Sequence, residues 1–240
     1  MQSEASELLN CRPPQVAGRS PIHPVVVFDL DGTLSDPLQG IGRSINHALA
    51  RHGYDERPVD ALAGFVGPPL DETFRLLTGR EDAAHVQELV ASYRERYSDV
   101  GYAENAVYEG VPAMLDSLVD SGVVLGICTS KLSVFAERIL SHFGLREHFA
   151  FISGGDIGVH KWQQLAALRA QGQLDDAAVM VGDRAIDIDA AHRNRISSCG
   201  VSWGFGSMEE LGSASPRYLC GCPAEIAELF TRVGPFIEPV

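Results

Sequence analysis

The sequence predicts an α/β protein: a Rossmann-like parallel sheet core with an inserted α-helical domain. Three observations predict it. Residues 25 to 28, Val-Val-Val-Phe, form an apolar run without polar alternation, the pattern of a parallel strand covered by helices on both faces. From Gly110 onward short apolar runs alternate with segments of helical period, and repeated strand–helix units imply a parallel sheet with right-handed crossovers. Between these, residues 36–105 show helical periodicity and no convincing strand.

In chain order, residues 1–23 mix Ser, Glu, Pro and Arg without periodicity, and Pro13, Pro14 and Pro21 exclude regular helix. They read as a disordered leader. The core is expected over 24–35 and 106–240, and the helical domain over 36–105. Within the helical domain Ile41, Ile45, Ala48, Leu49 and His52 fall on one helical face, and Val86, Leu89, Val90, Tyr93, Tyr97 and Val100 on another. Leu70, Phe74 and Leu77 suggest a third, short helix. Gly67-Pro68-Pro69 is a stiff interruption that reads equally as a helix-to-helix turn or as a loop facing the site. In the core, strands are expected over 123–128, 149–153, 178–181 and 197–201, alternating with helices over 111–121, 132–143, 163–170 and 186–192. Two further helices, around 209–211 and 224–230, flank a short edge element.

Composition narrows the function. The chain has 240 residues, 45% of them hydrophobic, and a formal net charge of −13. That charge argues against nucleic-acid or anionic-membrane partners, which require clustered Lys and Arg. No apolar run approaches the roughly 20 residues that span a bilayer, and the first residues lack the basic and apolar regions of a secretory signal. A cytoplasmic location is expected. The five cysteines are odd in number and irregularly spaced, which fits reduced thiols better than a disulfide framework.

The chemistry is carried by strand ends. In open parallel sheets ligands bind outside the carboxyl ends of the strands, so Asp29, directly after the first strand, faces a site. Asp31 lies two residues on, Gly32 lets the backbone bend, and Thr33 adds a hydroxyl. The bland reading is a polar turn, because Asp-Gly is a common turn former. Further on, Asp183 ends the strand at 178–181, and Asp187 follows one helical turn later, which brings the two carboxylates together. Asp187 alone also suits a helix N-terminus as a dipole partner. Clustered carboxylates repel and resist burial unless a cation neutralises them. Hard oxygen ligands beside phosphate chemistry favour Mg²⁺.

The strand at 123–128 runs into Thr129-Ser130-Lys131, where a hydroxyl and backbone N–H groups at a helix start suit an anion, although one of Thr129 and Ser130 could merely cap that helix. The chain holds 17 arginines and only two lysines, Lys131 and Lys161, and both follow strand ends. Lys161 is expected to be the phosphate and nucleophile partner, and Lys131 a nearer-surface residue or secondary substrate contact.

Asp29-Leu30-Asp31-Gly32-Thr33, Thr129, Lys161 and Gly182-Asp183 through Asp187 together resemble, in order, the four motifs of the haloacid dehalogenase-like hydrolase superfamily. The resemblance spans residues 24–232. Phe65 to Leu70, Tyr93 to Tyr97, Tyr108 to Val111 and Trp203-Gly204-Phe205-Gly206 are similar to its phosphoglycolate phosphatase-like branch, with a helical cap, whose members include phosphoglycolate phosphatases and 5'-nucleotidases. The sequence departs from that pattern at His160 and Trp162 around Lys161, and at Asn194-Arg195-Ile196, which lacks a glycine often found there.

The resemblance implies a Mg²⁺-dependent phosphatase acting on a small phosphorylated metabolite, phosphoglycolate-like, as monomer or homodimer. It implies Asp29 as nucleophile and Asp31 as acid and base; Asp29, the Asp31 main-chain carbonyl and Asp183 on the metal, with Asp187 either a further ligand or a support behind the ligands; and Thr129, Ser130 and Lys161 on phosphate. Gly67, Pro68 and Arg75 of the cap are expected to contribute selectivity. The alternatives are a 5'-nucleotidase, a sugar phosphomutase or a non-catalytic phosphate-binding module. Asp31 speaks against carbon–halogen chemistry, and the absence of lysine from 36–105 against a phosphonatase using a cap Schiff base.

Overall fold

The structure, a computed structural model, describes residues 25–155 and 158–231; the expected leader lies outside the described residues. The chain opens with β1 (Val25–Phe28) and β2 (Ser35–Asp36), then α1 (Leu38–Arg51), a 3₁₀ helix (Val59–Phe65), α2 (Leu70–Thr78), α3 (Ala83–Asp99) and β3 (Ala106–Val107). It continues through α4 (Val111–Asp120), β4 (Val124–Thr129), α5 (Ser133–His142), β5 (Phe149–Gly154), α6 (Lys161–Ala170), β6 (Val179–Gly182), α7 (Ala185–Arg193) and β7 (Ser197–Val201). It ends in α8 (Met208–Ala214), β8 (Tyr218–Cys220) and α9 (Pro223–Thr231).

Six strands form one parallel sheet in the order β5-β4-β1-β6-β7-β8. β1 is central, and its alternating side chains serve both faces. Val26 and Phe28 pack with Met114, Leu115 and Leu118 of α4 and with Ile139 of α5. Val27 points to the opposite layer with Leu165 and Leu168 of α6 and Ala190 and Ala191 of α7. A strand read as fully apolar is therefore buried on both sides, each such side chain contributing ~1.5–3 kcal/mol.

The expected helices between residues 36 and 105 enclose a separate apolar cluster of Ile41, Ile45, Leu49, Phe74, Val86, Leu89, Tyr93 and Tyr97. Two features here were not expected. Residues 59–65 form a 3₁₀ helix, and β2 pairs antiparallel with β3, Ser35 opposite Val107 and Asp36 opposite Ala106, where no strand was read. Two-residue strands leave too few positions for alternation to show. Val100, expected on the buried face of α3, instead follows its last residue and is 42% exposed.

The helical layer is tied to the core by side chains as well as by the chain. Arg138 of α5 donates to the Ser98 carbonyl at 2.9 Å and lies 3.8 Å over the Tyr102 ring. The Phe135 and Phe205 rings of the core pack against the helical cluster. No helix among the described residues is long and apolar enough to cross a membrane.

The departure at Asn194-Arg195-Ile196 has a structural counterpart: Arg195 adopts φ +57°, in the left-handed region. A side chain there costs roughly 1–2 kcal/mol, which glycine avoids at an entropic cost of about 0.5–1 kcal/mol. Arg195→Gly is therefore expected to raise unfolding free energy by ~0.5–1 kcal/mol, read from the urea midpoint. An unchanged or lowered midpoint would show that the Arg195 conformation is unstrained.

Candidate active site

The carboxyl ends of β1, β4 and β6 converge. The Asp29 N–H donates to the Val181 carbonyl at 2.9 Å, which carries the β1–β6 pairing one residue past the strand and fixes the Asp29 backbone. The chain then turns sharply: Gly32, at φ +86°, donates to the Ser35 carbonyl at 2.8 Å. Glycine is required here twice over, because a Cβ would also lie 2.2 Å from Asp183 Oδ2. The turn aims the Thr33 hydroxyl at Asp183 Oδ1, 3.1 Å away.

Asp183 follows β6 and is completely buried. Besides Thr33, it accepts the Phe205 N–H at Oδ2, 2.8 Å away. That loop approaches closely because it carries glycines: a Cβ on Gly204 would meet the Gly32 carbonyl oxygen at 2.4 Å, and one on Gly206 the Asp183 carbonyl oxygen at 1.9 Å. Trp203 completes the junction, donating from Nε1 to the Thr33 carbonyl at 3.0 Å. Asp187, in the first turn of α7, accepts the Arg184 N–H at Oδ2 and the Lys161 ammonium at Oδ1. One oxygen each from Asp29, Asp183 and Asp187 lies within 4.8 Å of the others, and all three residues are buried.

Lys161 sits between two of these carboxylates, 3.0 Å from Asp29 Oδ2 and paired with Asp187. It is the first residue of α6, which begins two residues earlier than apolar periodicity indicated because Gln163 Oε1 accepts the His160 N–H at 2.9 Å and closes the first turn. Burial favours the neutral amine, but the charges of Asp187 and Asp29 outweigh it and hold the Lys161 pKa well above its usual value.

Lys131 is not the near-surface residue the sequence suggested. Its ammonium is largely enclosed, 2.8 Å from Asp31 Oδ2, and donates to the Tyr97 hydroxyl of α3 at 2.6 Å. Asp31 Oδ2 is thus engaged by a lysine tied to the helical layer. Burial pushes the Asp31 pKa up, against the downward pull of Lys131.

Thr129, the last residue of β4, is buried, and its hydroxyl accepts the Lys131 N–H at 3.2 Å. Its carbonyl accepts Gln164 Nε2 at 3.0 Å. Neither Thr129 nor the exposed Ser130 caps α5, whose first residue is preceded by Leu132. In the helical layer, Gly67 and Pro68 join the 3₁₀ helix to α2, and Arg75 is paired with Asp71 at 2.7 Å on its own helix. Arg184, Phe205, Gln164 and Tyr97 were not singled out for the site from sequence. Phe205 and Tyr97 lie in two runs, Trp203 to Gly206 and Tyr93 to Tyr97, that the family resemblance had marked.

The donor set fits a hard divalent cation. Three buried carboxylates face one ammonium, and Asp29 Oδ1 is buried with no hydrogen-bond partner among the described residues. Burial and then the charges of Asp187 and Asp29 push Asp183 up to about 7. Asp187 rises to about 6 through burial, with Lys161 opposing. Burial and mutual repulsion thus make both Asp183 and Asp187 hold a proton more readily than a free carboxyl group.

The sequence pattern of the haloacid dehalogenase-like hydrolases matches residues 26–201. The chain belongs to this family. The haloacid dehalogenase-like hydrolase is 41% identical over 211 residues to a 5'-nucleotidase of Pseudomonas aeruginosa, covering 86% of this chain and 94% of that one. It is 37% identical over 221 residues to the tyrosine-protein kinase PtkA of Mycobacterium tuberculosis, covering 90% and 74%. A phosphoglycolate phosphatase of Agrobacterium fabrum is 30% identical over 193 residues, covering 77% and 83%. Among solved structures, a predicted phosphatase from Clostridium acetobutylicum superposes with a TM-score of 0.80 at 35% identity, covering 86% of this chain and 97% of that one.

The raised carboxylates set a pH dependence with a definite sign. A carboxyl group whose pKa is higher in the folded than in the unfolded chain stabilises the fold most when protonated. For Asp183 that contribution declines as pH rises from the ordinary carboxyl value of 3.8 through about 7. Metal-free protein is thus expected to lose thermal stability between about pH 4 and pH 7, and saturating Mg²⁺ to raise Tm most at the upper end. Melting curves across that range, with EDTA or Mg²⁺, test this. A Mg²⁺ effect that grows as pH falls would contradict it.

Proposed function

We propose that this hydrolase is a cytoplasmic, Mg²⁺-dependent phosphatase of small phosphomonoesters that works through an aspartyl-phosphate on Asp29. The observation that carries the reading is the convergence at one sheet edge of a buried, partly unpartnered Asp29 carboxylate, a buried lysine beside it, and two further buried carboxylates. Asp29, Asp183 and Asp187, with the main-chain carbonyl of Asp31, would hold the ion. When bound, Mg²⁺ neutralises the cluster and the charge that builds on the transferring oxygens.

The protein groups do the rest. An Asp29 oxygen forms a bond to phosphorus as the bond to the leaving oxygen breaks, and Asp31 gives its proton to that oxygen. Water then attacks phosphorus, its proton returns to Asp31, and the Asp29 carboxylate is released with inorganic phosphate. The upward shift of the Asp31 pKa is in the direction an acid needs. Lys161 orients Asp29 and, with the Thr129 hydroxyl and the loop at Ser130, binds the phosphoryl oxygens. Residues 36–105 act as a cap that excludes water and meets the leaving group, with Gly67, Pro68 and Arg75 as selectivity residues.

The substrate class is a small phosphorylated metabolite, phosphoglycolate-like. Nucleoside 5'-monophosphates form the second reading, favoured by the 41% identity to a 5'-nucleotidase of matching length. Phosphate release from a panel of phosphoglycolate, nucleoside monophosphates and sugar phosphates, with Mg²⁺ or EDTA, tests both. Metal-dependent turnover is expected, and the preferred substrate decides between the readings. Return of the phosphoryl group to a sugar phosphate rather than to water in single-turnover experiments would mean a mutase. No turnover on any member by folded, Mg²⁺-loaded protein would leave a phosphate-binding module.

A further inference from the structure

Arg184 lies in sequence between the two carboxylates Asp183 and Asp187, yet its side chain leaves the cluster. Its Nε donates to Glu210 Oε1 at 2.9 Å, and its Nη1 donates to the main-chain carbonyl of Val66 at 3.0 Å. Val66 belongs to the helical layer, 118 residues away in sequence, and directly precedes Gly67-Pro68-Pro69. The local structure is built to receive the guanidinium. Glu210 is held by the Ala185 N–H at 2.9 Å and by the Ser207 hydroxyl, which accepts its N–H at 3.0 Å. Gly67 takes φ +105°, a conformation that turns the chain just beyond the accepted carbonyl, and the Arg184 Nη1 lies 3.6 Å from where a Cβ would stand. Val66 itself is buried.

Next to it, Phe205 spans the same gap in a second way. Its N–H is bonded to Asp183, and its ring packs against the helical cluster that includes Val66. Loop and carboxylate pocket thus share one rigid junction, in which Arg184 supplies the directional bond and Phe205 the apolar contact.

We propose that Arg184 is a positioning residue that seats the Val66–Pro69 loop against the carboxylate pocket, so that selection of the leaving group by this loop depends on the Arg184–Val66 bond. The inference rests on the phosphatase reading for its catalytic consequence, but its structural half stands alone. Arg184 touches the loop and not the reacting atoms. Removing its side chain leaves the Arg184 N–H in place for Asp187 Oδ2, 3.1 Å away, so the carboxylate cluster keeps its geometry. Binding energy supplied by a seated loop acts on substrate and transition state alike, and its loss appears in KM rather than in kcat.

The test compares full-length wild type with Arg184→Met and Arg184→Lys in two measurements. In hydrogen exchange, the amides of Val66, Gly67 and Leu70 are expected to exchange at least tenfold faster in Arg184→Met, with α7 and the strands unchanged. In steady-state kinetics on the best substrate of the panel, KM is expected to rise about tenfold with kcat within threefold and Mg²⁺ affinity within twofold of wild type. Preference among substrates should flatten. Arg184→Lys is expected to recover only part, because one ammonium cannot reach Glu210 and Val66 in the geometry of the guanidinium fork. Unchanged exchange at Val66, Gly67 and Leu70 overturns the proposal whatever the activity. Faster exchange with unchanged KM and unchanged preference overturns it too. Absence of turnover in the wild type would defeat the phosphatase reading instead, and hydrogen exchange would still decide whether Arg184 seats the loop.

Discussion

Asp29→Asn is expected to lower turnover of every phosphomonoester on the order of 10⁴-fold or more, because the amide cannot form the phosphoenzyme and no neighbouring carboxylate among the described residues is placed to substitute. Asp31 is turned to Lys131, Asp183 is engaged by Thr33 and Phe205, and Asp187 is paired with Lys161. The fold should survive, since Lys161 keeps Asp187 as a partner and the Asp29 backbone bond to Val181 is untouched. Initial rates of phosphate release, together with acid-quenched trapping of a phosphorylated chain in the wild type, provide the measurement. A variant retaining a tenth of wild-type turnover would rule out Asp29 as nucleophile.

Lys161→Met is expected to be the most damaging single change to stability. It removes the ammonium that faces Asp29 and Asp187 in a site with 2% exposure, and leaves two carboxylates buried without it. Breaking such a pair by removing one partner costs ~3–5 kcal/mol, a large share of the 5–15 kcal/mol typical of a whole domain. Lys161→Arg should not rescue, because a planar guanidinium does not fit where a compact ammonium is enclosed. The double variant Lys161→Met, Asp187→Asn should recover part of the loss, since one stranded charge is gone. Urea unfolding of the three proteins measures this. A single variant within about 1 kcal/mol of wild type would show that the carboxylates find another counter-charge.

These residues were legible in the sequence for a specific reason. Asp29, Thr129 and Asp183 each terminate or follow a strand of unambiguous apolar character, so position along the chain translated directly into position at the sheet edge. Lys161 was legible through lysine scarcity in a chain that otherwise uses arginine. Lys131 was misjudged because what encloses it is distant: its partners Asp31 and Tyr97 come from the first strand's loop and from α3. No local pattern reports that an exposed-looking lysine after a strand will be covered by another layer. The same limit hid Arg184, whose side chain serves a residue in the helical layer while its neighbours serve the pocket. The β2–β3 ladder escaped because two residues per strand carry no period.

That ladder has a wider consequence. Ser35–Asp36 and Ala106–Val107 are neighbouring strands, so the chain leaves the sheet for the helical layer and returns to it at a single doorway, about 4.8 Å across. To the sheet, everything between is one loop whose ends are already held together. Lengthening such a loop costs only about 0.6 kcal/mol per doubling and shifts no strand register. The helical layer can therefore be enlarged, shortened or exchanged while Asp29, Thr129 and Asp183 stay where the strands put them. On the proposed phosphatase reading, substrate choice and phosphoryl chemistry are then free to change at separate rates in the history of such a chain.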